Sequence, residues 1–180
     1  QAVRSSRRAG DAALAQLAYD EAARHYRRAL ELVPAAGATD AEACDLALAL
    51  GEAQKRSGDP AYRRTFLDAA ERAARLGDAE RLARAAIANS RGFWSASGSV
   101  DRERVSVMEA ALDLLSTDDH PLRACVLANM AVELVYTGDA DGVRRRSDEA
   151  LAMARRLGDP DTVAGVLAPR YNTIRGDPGT

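Results

Sequence analysis

The stretch Ala74–Asp78, with the sequence ARLGD, returns later in the chain as RRLGD at Arg155–Asp159. A second turn, SGD at Ser57–Asp59, returns at nearly the same separation as TGD at Thr137–Asp139. Two different turns that keep nearly the same separation indicate an internal repeat rather than chance. In each of them a glycine follows a helix-forming run, at the place where a helix C-terminus accepts the left-handed conformation. The chain is therefore built from recurring helical units.

The sequence also repeats at about half of that separation, that is, about every 40 residues. Single glycines and Leu/Ile-Ala pairs recur at Gly58, Gly98 and Gly138 and at Ile87-Ala88, Leu127-Ala128 and Leu167-Ala168. Helical periodicity runs through nearly the whole sequence, and strand alternation is absent. A period of about 40 residues predicts an all-α fold, a right-handed α-solenoid of about four and a half helix hairpins. We expect residues 1–180 to form one such domain and to be a piece of a larger protein, since the sequence opens without Met and stops just after a turn.

Turn residues place the individual helices. We expect helices at 5–17, 20–33, 40–57, 60–76, 79–91, 101–115, 120–137, 140–157 and 161–175. Pro34 and Gly37 are expected to end the second helix, because proline cannot continue the hydrogen-bond ladder. Asp40, Asp78 and Asp101 stand where an N-cap is needed.

Composition limits the class of protein. The chain has 180 residues, of which 47% are apolar and 29% charged, as in an ordinary globular domain. Its formal charge of −2 provides no net field to attract nucleic acid or anionic lipid. No apolar run is long enough to span a membrane, and no signal peptide is visible. Cys44 and Cys125 fall two repeats apart, too far for a disulfide, so we expect a reducing, cytoplasmic location.

The first predicted hairpin carries a recognisable pattern. Gly10, Ala22, Tyr26, Ala29 and Pro34 stand at the spacing of the tetratricopeptide (TPR) motif, and this hairpin resembles a TPR. In that family, small residues let the two helices approach closely and an aromatic ring fills the gap. The later repeats are longer than the standard TPR motif and resemble the degenerate, extended TPR-like repeats. The resemblance implies a concave surface lined by the first helix of each hairpin.

Three further segments, Arg91–Trp94, Leu134–Asp139 and Asp148–Leu151, extend the resemblance. With them, nearly the whole chain resembles the C-terminal helical region of large bacterial multidomain regulators, such as the ATP-binding LuxR-type transcriptional regulators. In that group a nucleotide-switch module precedes the repeats and a DNA-binding domain often follows. Neither part lies in this segment, so their activities are not expected here.

Motifs that would indicate catalysis are absent from the sequence. It contains no Gly-rich phosphate loop and no G-x-G-x-x-G. His25 and His120 lack the accompanying Cys/His/Asp spacing of a zinc site or a catalytic base. The arginine clusters are interleaved with acidic residues and lack stacking aromatics, so no direct nucleic-acid contact is expected. We expect no enzymatic activity, no cofactor and no metal.

Phe93 and Trp94 form the most unusual stretch, in a predicted turn between helices. Exposed on a loop, they would be a good anchor for a protein partner. Buried, they would supply bulky apolar area to the third hairpin of an alanine-rich core. The second interpretation is favoured.

A second set of candidates falls on the predicted first helices. Asn89 and Asn129 lie one period apart, and Glu133 and Tyr136 follow Asn129 at helical spacing. The predicted last helix extends this row with three further residues, Tyr171, Asn172 and Arg175. In peptide-binding TPR proteins such asparagines clamp a partner's backbone or carboxylate, and an arginine adds charge-assisted pairing. Alternatively, the asparagines are buried and hydrogen-bonded within the repeat. Both interpretations remain open.

These patterns predict a non-catalytic protein-interaction or sensing solenoid within a bacterial signalling or transcriptional regulator. Its partner would be a protein or peptide, another domain of the same polypeptide, or an inducer. The alternative is a free-standing TPR scaffold or adaptor that binds peptide segments. An α-helical enzyme would need a convergent acid–base or metal cluster in the groove, and the fold alone implies no function.

Overall fold

The computed structural model describes residues 1–91 and 99–175, and their side chains as far as residue 173. Within these residues the regular structure is entirely helical, which confirms the predicted all-α class. The helices are α1 (Ala2–Ala15), α2 (Tyr19–Ala36), α3 (Asp40–Ser57), α4 (Tyr62–Leu76), α5 (Ala79–Ala88), α6 (Arg102–Leu114), α7 (Pro121–Glu133), α8 (Ala140–Leu157) and α9 (Pro160–Arg175). A 3₁₀ turn, Val135–Thr137, follows α7. No helix in the described residues is both long and apolar enough to cross a bilayer.

The chain divides into two compact units, Gln1–Asn89 and Ser90–Thr180. In the first unit each of the helices α1 to α4 packs against the next one, and α3 also contacts α5. In the second unit α6 packs against α7, and α7, α8 and α9 pack against one another. Short connections between antiparallel neighbours account for most of these contacts.

Two glycines allow close helix packing in the first unit. A Cβ atom at Gly51 would lie 2.6 Å from the ring of Phe66, and one at Gly10 would meet Tyr26 in the same way. Tyr26 is fully buried, and its hydroxyl donates to Asp11 Oδ1 at 2.8 Å. The close approach predicted for the first hairpin is therefore found, and it recurs between α3 and α4. The core of the first unit continues through smaller side chains, among them Ala22, Ala29, Leu46, Leu50 and Ala53.

The core of the second unit contains no large aromatic side chain among the described residues. Its central cluster joins alanines of α7 and α8 with three larger side chains, Leu127, Met153 and Val166. Small residues on facing helices let the backbones approach, so the alanine-rich composition gives a thin, well-covered core.

Side-chain caps set most helix starts. Asp78 and Asp101 cap α5 and α6, each accepting a hydrogen bond from the backbone N–H three residues later, as predicted. The prediction that Asp40 caps α3 is wrong. Thr39 is the cap, because it forms a capping box with Glu42 in which each side chain bonds the other's backbone N–H.

Three helices end three or more residues away from their predicted C-terminus. The helix α2 passes Pro34 and ends at Ala36, with Gly37 (φ 61°) as its C-cap, because a proline near the end of a helix removes only one hydrogen bond. The helix α5 ends at Ala88, earlier than expected, where the carbonyl accepts a hydrogen bond from Lys55 Nζ at 2.7 Å. The helix α7 ends at Glu133, and a 3₁₀ turn replaces its predicted last turn.

Candidate functional site

A cleft of about 430 Å³ opens in the first unit along the helices α1, α3 and α5. It is lined by Arg7 of α1, by Asp45, Leu48 and Glu52 of α3, and by Arg81, Arg84 and Ala88 of α5, with Phe66 of α4. All of these residues except Phe66 come from the first helices of the predicted hairpins. The lining combines short apolar patches with charged side chains, which is a suitable composition for a polypeptide ligand.

One wall of the cleft is fixed by an ion-pair network around Arg81. Its guanidinium forms a two-pronged pair with Asp45, with Nε–Oδ1 at 2.8 Å and Nη2–Oδ2 at 3.1 Å, and it also bonds Asp78. These hydrogen bonds, with Asp45 first and Asp78 second, raise the pKa of Arg81 further above its usual range. Arg81 belongs to α5 and Asp45 to α3, so this two-pronged ion pair joins the two helices. Because Asp78 also bonds the guanidinium, the orientation of Arg81 is fixed.

The remaining charged residues that line the cleft form fewer ion pairs than Arg81 does. Arg84 pairs with Glu80 at 3.3 Å and Glu52 with Arg56 at 2.6 Å, all of them at least partly exposed. Arg7 is exposed and takes part in none of the hydrogen bonds or ion pairs among the described residues. It also borders a second depression on α1, lined with it by Gln1, Arg4, Arg8 and Asp11. The cleft therefore continues into a basic surface.

The two predicted asparagines are buried. Asn89 is the C-cap residue of α5, is 3% exposed and does not line the cleft. Asn129 is 7% exposed, and its Nδ2 donates to the carbonyl of Cys125, one turn earlier in α7, at 2.8 Å. This internal hydrogen bond corresponds to the interpretation in which the asparagines are buried and hydrogen-bonded within the repeat, and not to a clamp for a partner.

Glu133 is also buried, and it forms an ion pair that sequence reasoning missed. Its Oε2 accepts a hydrogen bond from Arg91 Nη2 at 2.7 Å, and the side chain is 1% exposed. The second oxygen, Oε1, accepts no hydrogen bond from the described residues. A buried carboxylate destabilises the fold unless a cation is paired with it, so Glu133 requires Arg91. Because Arg91 and Glu133 are far apart in the sequence, no local pattern indicates the pair.

The other predicted residues do not join Glu133 in one row. Tyr136 lies in the 3₁₀ turn after α7 and is 43% exposed. On α9, Tyr171 is exposed and Asn172 is half-buried. Phe93 and Trp94 lie outside the described residues, as does the side chain of Arg175. The structure thus gathers charged residues of the first unit into a cleft, and none of the predicted residues that it describes lines this cleft.

The sequence contains one pattern that indicates the cleft. The resemblance to TPR proteins already implied a surface lined by first helices. Charged residues recur on those helices at Arg7, Asp45, Glu52 and Arg84. The predicted site was based instead on Asn89 and Asn129, which lie one period apart in the sequence.

The histidines and cysteines have local roles. His120 Nδ1 accepts the backbone N–H of Leu122 at 3.2 Å and so caps α7, while His25 lies 3.7 Å from Glu21 on the surface of α2. Both cysteines are free thiols. In the part of the chain that the structure describes, no three His, Cys, Asp or Glu residues are grouped to hold a metal ion.

Compared with models of known protein families and with curated protein sequences, the chain matches none.

Proposed function

We propose that this chain is a non-catalytic protein-interaction domain, a TPR-like right-handed α-solenoid with a repeat of about 40 residues, and that it works in the cytoplasm. The parent molecule is a bacterial multidomain signalling or transcriptional regulator of the LuxR type. Its partner is a protein or peptide segment, which another domain of the same polypeptide can supply. The single observation that carries the proposal is the cleft along α1, α3 and α5.

Packing within the first unit supports a repeat of helix hairpins. Each helix contacts its successor, and the first helices α3 and α5 also contact each other across the intervening helix. Gly10 with Tyr26 and Gly51 with Phe66 repeat the same close approach in two successive hairpins. Arrays of this kind present an extended face on their first helices, which suits a polypeptide ligand.

The charge of the cleft favours an acidic ligand. Arg81 is already neutralised by Asp45 and Asp78, and Glu52 is paired with Arg56. Arg7 is an exposed cation, and Arg84 is exposed and, among the described residues, paired only with the exposed Glu80, so both can donate to carboxylates of a ligand. Leu48 and Ala88 also line the cleft, are half-buried and offer short apolar contacts. An extended segment with alternating acidic and apolar residues fits this arrangement.

The test is a binding titration with defined peptides. Fluorescently labelled peptides with alternating Glu and Leu, or alternating Lys and Leu, are titrated with the whole chain and followed by anisotropy. We expect the acidic peptide to bind more tightly, with affinity that falls as salt is added. Arg7→Glu and Arg84→Glu should each weaken binding about tenfold, because each removes a charge-assisted hydrogen bond.

Arg24→Glu is the matched control, since Arg24 is exposed on α2 and does not line the cleft. It makes the same change in net charge and should leave the affinity within about twofold. Equal weakening by Arg24→Glu would mean that only net charge is sensed. That result, or the absence of binding by both peptides, would rule out the cleft as the binding site.

A further inference from the structure

One face of α9 is apolar and exposed. Ala164, Leu167, Ala168 and Tyr171 are spaced at i, i+3, i+4 and i+7, so they form one stripe along the helix. Leu167 is 47% exposed and Tyr171 is 56% exposed. No charged residue interrupts the stripe, and Gly165 beside it is exposed as well. The opposite face of α9 packs into the second unit through Val166, which is fully buried.

The same stripe occurs on α7, where it is covered. One repeat period before the four positions of the α9 stripe stand Ala124, Leu127, Ala128 and Ala131. Each of them is at most 5% exposed. Three of them, residues 124, 127 and 128, cluster with Ala150, Met153 and Ala154 of α8 and with Val166 of α9. On α7, therefore, this stripe lies in the core that α7 shares with the amphipathic helix α8.

The helix α5 gives a second comparison. The same Leu-Gly-Asp turn precedes α5 and α9, and aligning the two turns matches Ala164 and Leu167 with Ala83 and Ala86. Ala83 is 0% exposed and Ala86 is 2% exposed. The helix α7 thus buries all four equivalent positions, whereas α5 buries the two that match Ala164 and Leu167 and leaves Ile87, which matches Ala168, half-buried.

We propose that the α9 stripe (Ala164, Leu167, Ala168 and Tyr171) is a docking surface for one amphipathic helix of the α8 kind. The occupant carries alanines and one Met or Leu on its apolar face, and charged residues on its outer face, as α8 does. It lies antiparallel to α9, in the way that consecutive helices with a short connection pack. This docking surface rests on the repeat of about 40 residues that the proposed function includes, but it does not involve the cleft of the first unit, so the two binding tests succeed or fail separately.

The probe is a synthetic peptide with the sequence of residues 139–158, which supplies the α8 stripe with its own capping residues. Its labelled form is titrated with the whole chain, with the Leu167→Glu variant and with the Leu114→Glu variant. Leu114 is the matched control, because it is 46% exposed on α6 of the same unit and receives the same substitution. Since both leucines are exposed, both variants should keep the wild-type Tm and helical circular dichroism.

We expect the peptide to bind the wild type and Leu114→Glu alike, and to bind Leu167→Glu about tenfold more weakly, since a charge then faces the apolar helix. A peptide in which Met153 is replaced by Asp should lose binding to all three proteins. Equal affinity for all three proteins would place the peptide elsewhere, for example in exchange with α8 itself, and would overturn the proposal.

Sedimentation velocity tests the remaining occupant, a second copy of this chain. The proposal expects the chain without peptide to stay monomeric at the concentrations used for the titration. Self-association that Leu167→Glu abolishes and Leu114→Glu does not would show that α9 pairs with its own copy. That result, like a complete failure of the peptide to bind, would overturn the helix-docking proposal.

Discussion

The ring of Tyr26 fills the space beside Gly10, where a Cβ atom would lie only 2.7 Å from Cε1 and 2.9 Å from Cδ1. The ring has little freedom to withdraw, because it is 1% exposed and its hydroxyl bonds Asp11 at 2.8 Å. Burial, and then the hydrogen bond and negative charge of Asp11, raise the pKa of Tyr26 above its usual range. The tyrosine therefore stays neutral and anchored at neutral pH, and residue 10 of α1 must remain a glycine.

Replacing that glycine should destabilise the first unit. Gly10→Ala forces the ring or α1 to move, and we expect a net loss of about 1 to 2 kcal/mol of unfolding free energy after the helix propensity gained by alanine. Urea unfolding followed by circular dichroism measures the change. Combined with Tyr26→Leu, which vacates the space, Gly10→Ala should cost much less. If Gly10→Ala lowers the unfolding free energy equally in the wild type and in the Tyr26→Leu variant, the ring does not fill the space beside residue 10.

The resemblance of the first hairpin to a TPR implied this contact, whose two residues belong to adjacent helices joined by a short turn. Local sequence was enough to predict the capping roles of Asp78 and Asp101, which depend on the next three residues. The bond between Asp45 and Arg81 could not be predicted in this way. The two residues are distant in the sequence, and only the packing of α3 against α5 brings them together.

Helix ends were harder to predict for a related reason. Whether α7 continues to residue 137 depends on the balance between one more α-helical turn and a 3₁₀ turn, which differ little in local sequence preference. Burial of Asn89, Asn129 and Glu133 could not be predicted either, since a polar residue on a first helix fits a groove or a core equally well.

Arg91 and Glu133 offer a test of buried charge pairing. Arg91→Met leaves a nearly inaccessible carboxylate without this cation, and we expect it to destabilise the protein by about 3 to 5 kcal/mol. The double variant Arg91→Met/Glu133→Leu removes both charges and should recover most of that loss. Chemical denaturation of the four proteins in a double-mutant cycle gives the coupling. Additive losses would show that the two charges do not depend on each other.

Acid should weaken the cap of α5. The backbone N–H of Arg81, which lies 2.9 Å from Asp78 Oδ1, and then its guanidinium hold the pKa of Asp78 below its ordinary value of 3.8. Because the folded pKa is the lower one, the stabilisation is present above the unfolded pKa and is lost as the pH falls through the folded one.

We therefore expect the unfolding free energy of the wild type to fall between about pH 5 and pH 3, and the Asp78→Asn variant to fall less steeply. Asparagine keeps a cap acceptor but cannot titrate, so the difference between the two curves isolates this carboxylate. Urea unfolding at constant ionic strength gives both curves. Parallel curves would show that Asp78 has the same pKa folded and unfolded.

The two thiols report separately on the two units. Cys44 is 0% exposed in the first unit, and its Sγ lies 3.3 Å from the carbonyl oxygen of Ala69. Burial, and then the charge of Asp45, raise the pKa of Cys44 above its usual value. Burial and then the charge of Asp159 do the same for the pKa of Cys125 in the second unit. Since the thiolate is the reactive form, both cysteines should be modified slowly while the protein is folded.

We expect iodoacetamide at neutral pH to modify each native thiol at least about tenfold more slowly than it modifies glutathione, and at comparable rates in urea. Single variants Cys44→Ala and Cys125→Ala assign the rates, which mass spectrometry follows. A native rate equal to that of glutathione would show that the folded structure does not protect the buried Cys44 or the half-buried Cys125. If both units open in one cooperative step, the two rates will share one dependence on urea. If the units open independently, the dependences will differ, because each cysteine is then exposed by the opening of its own unit only.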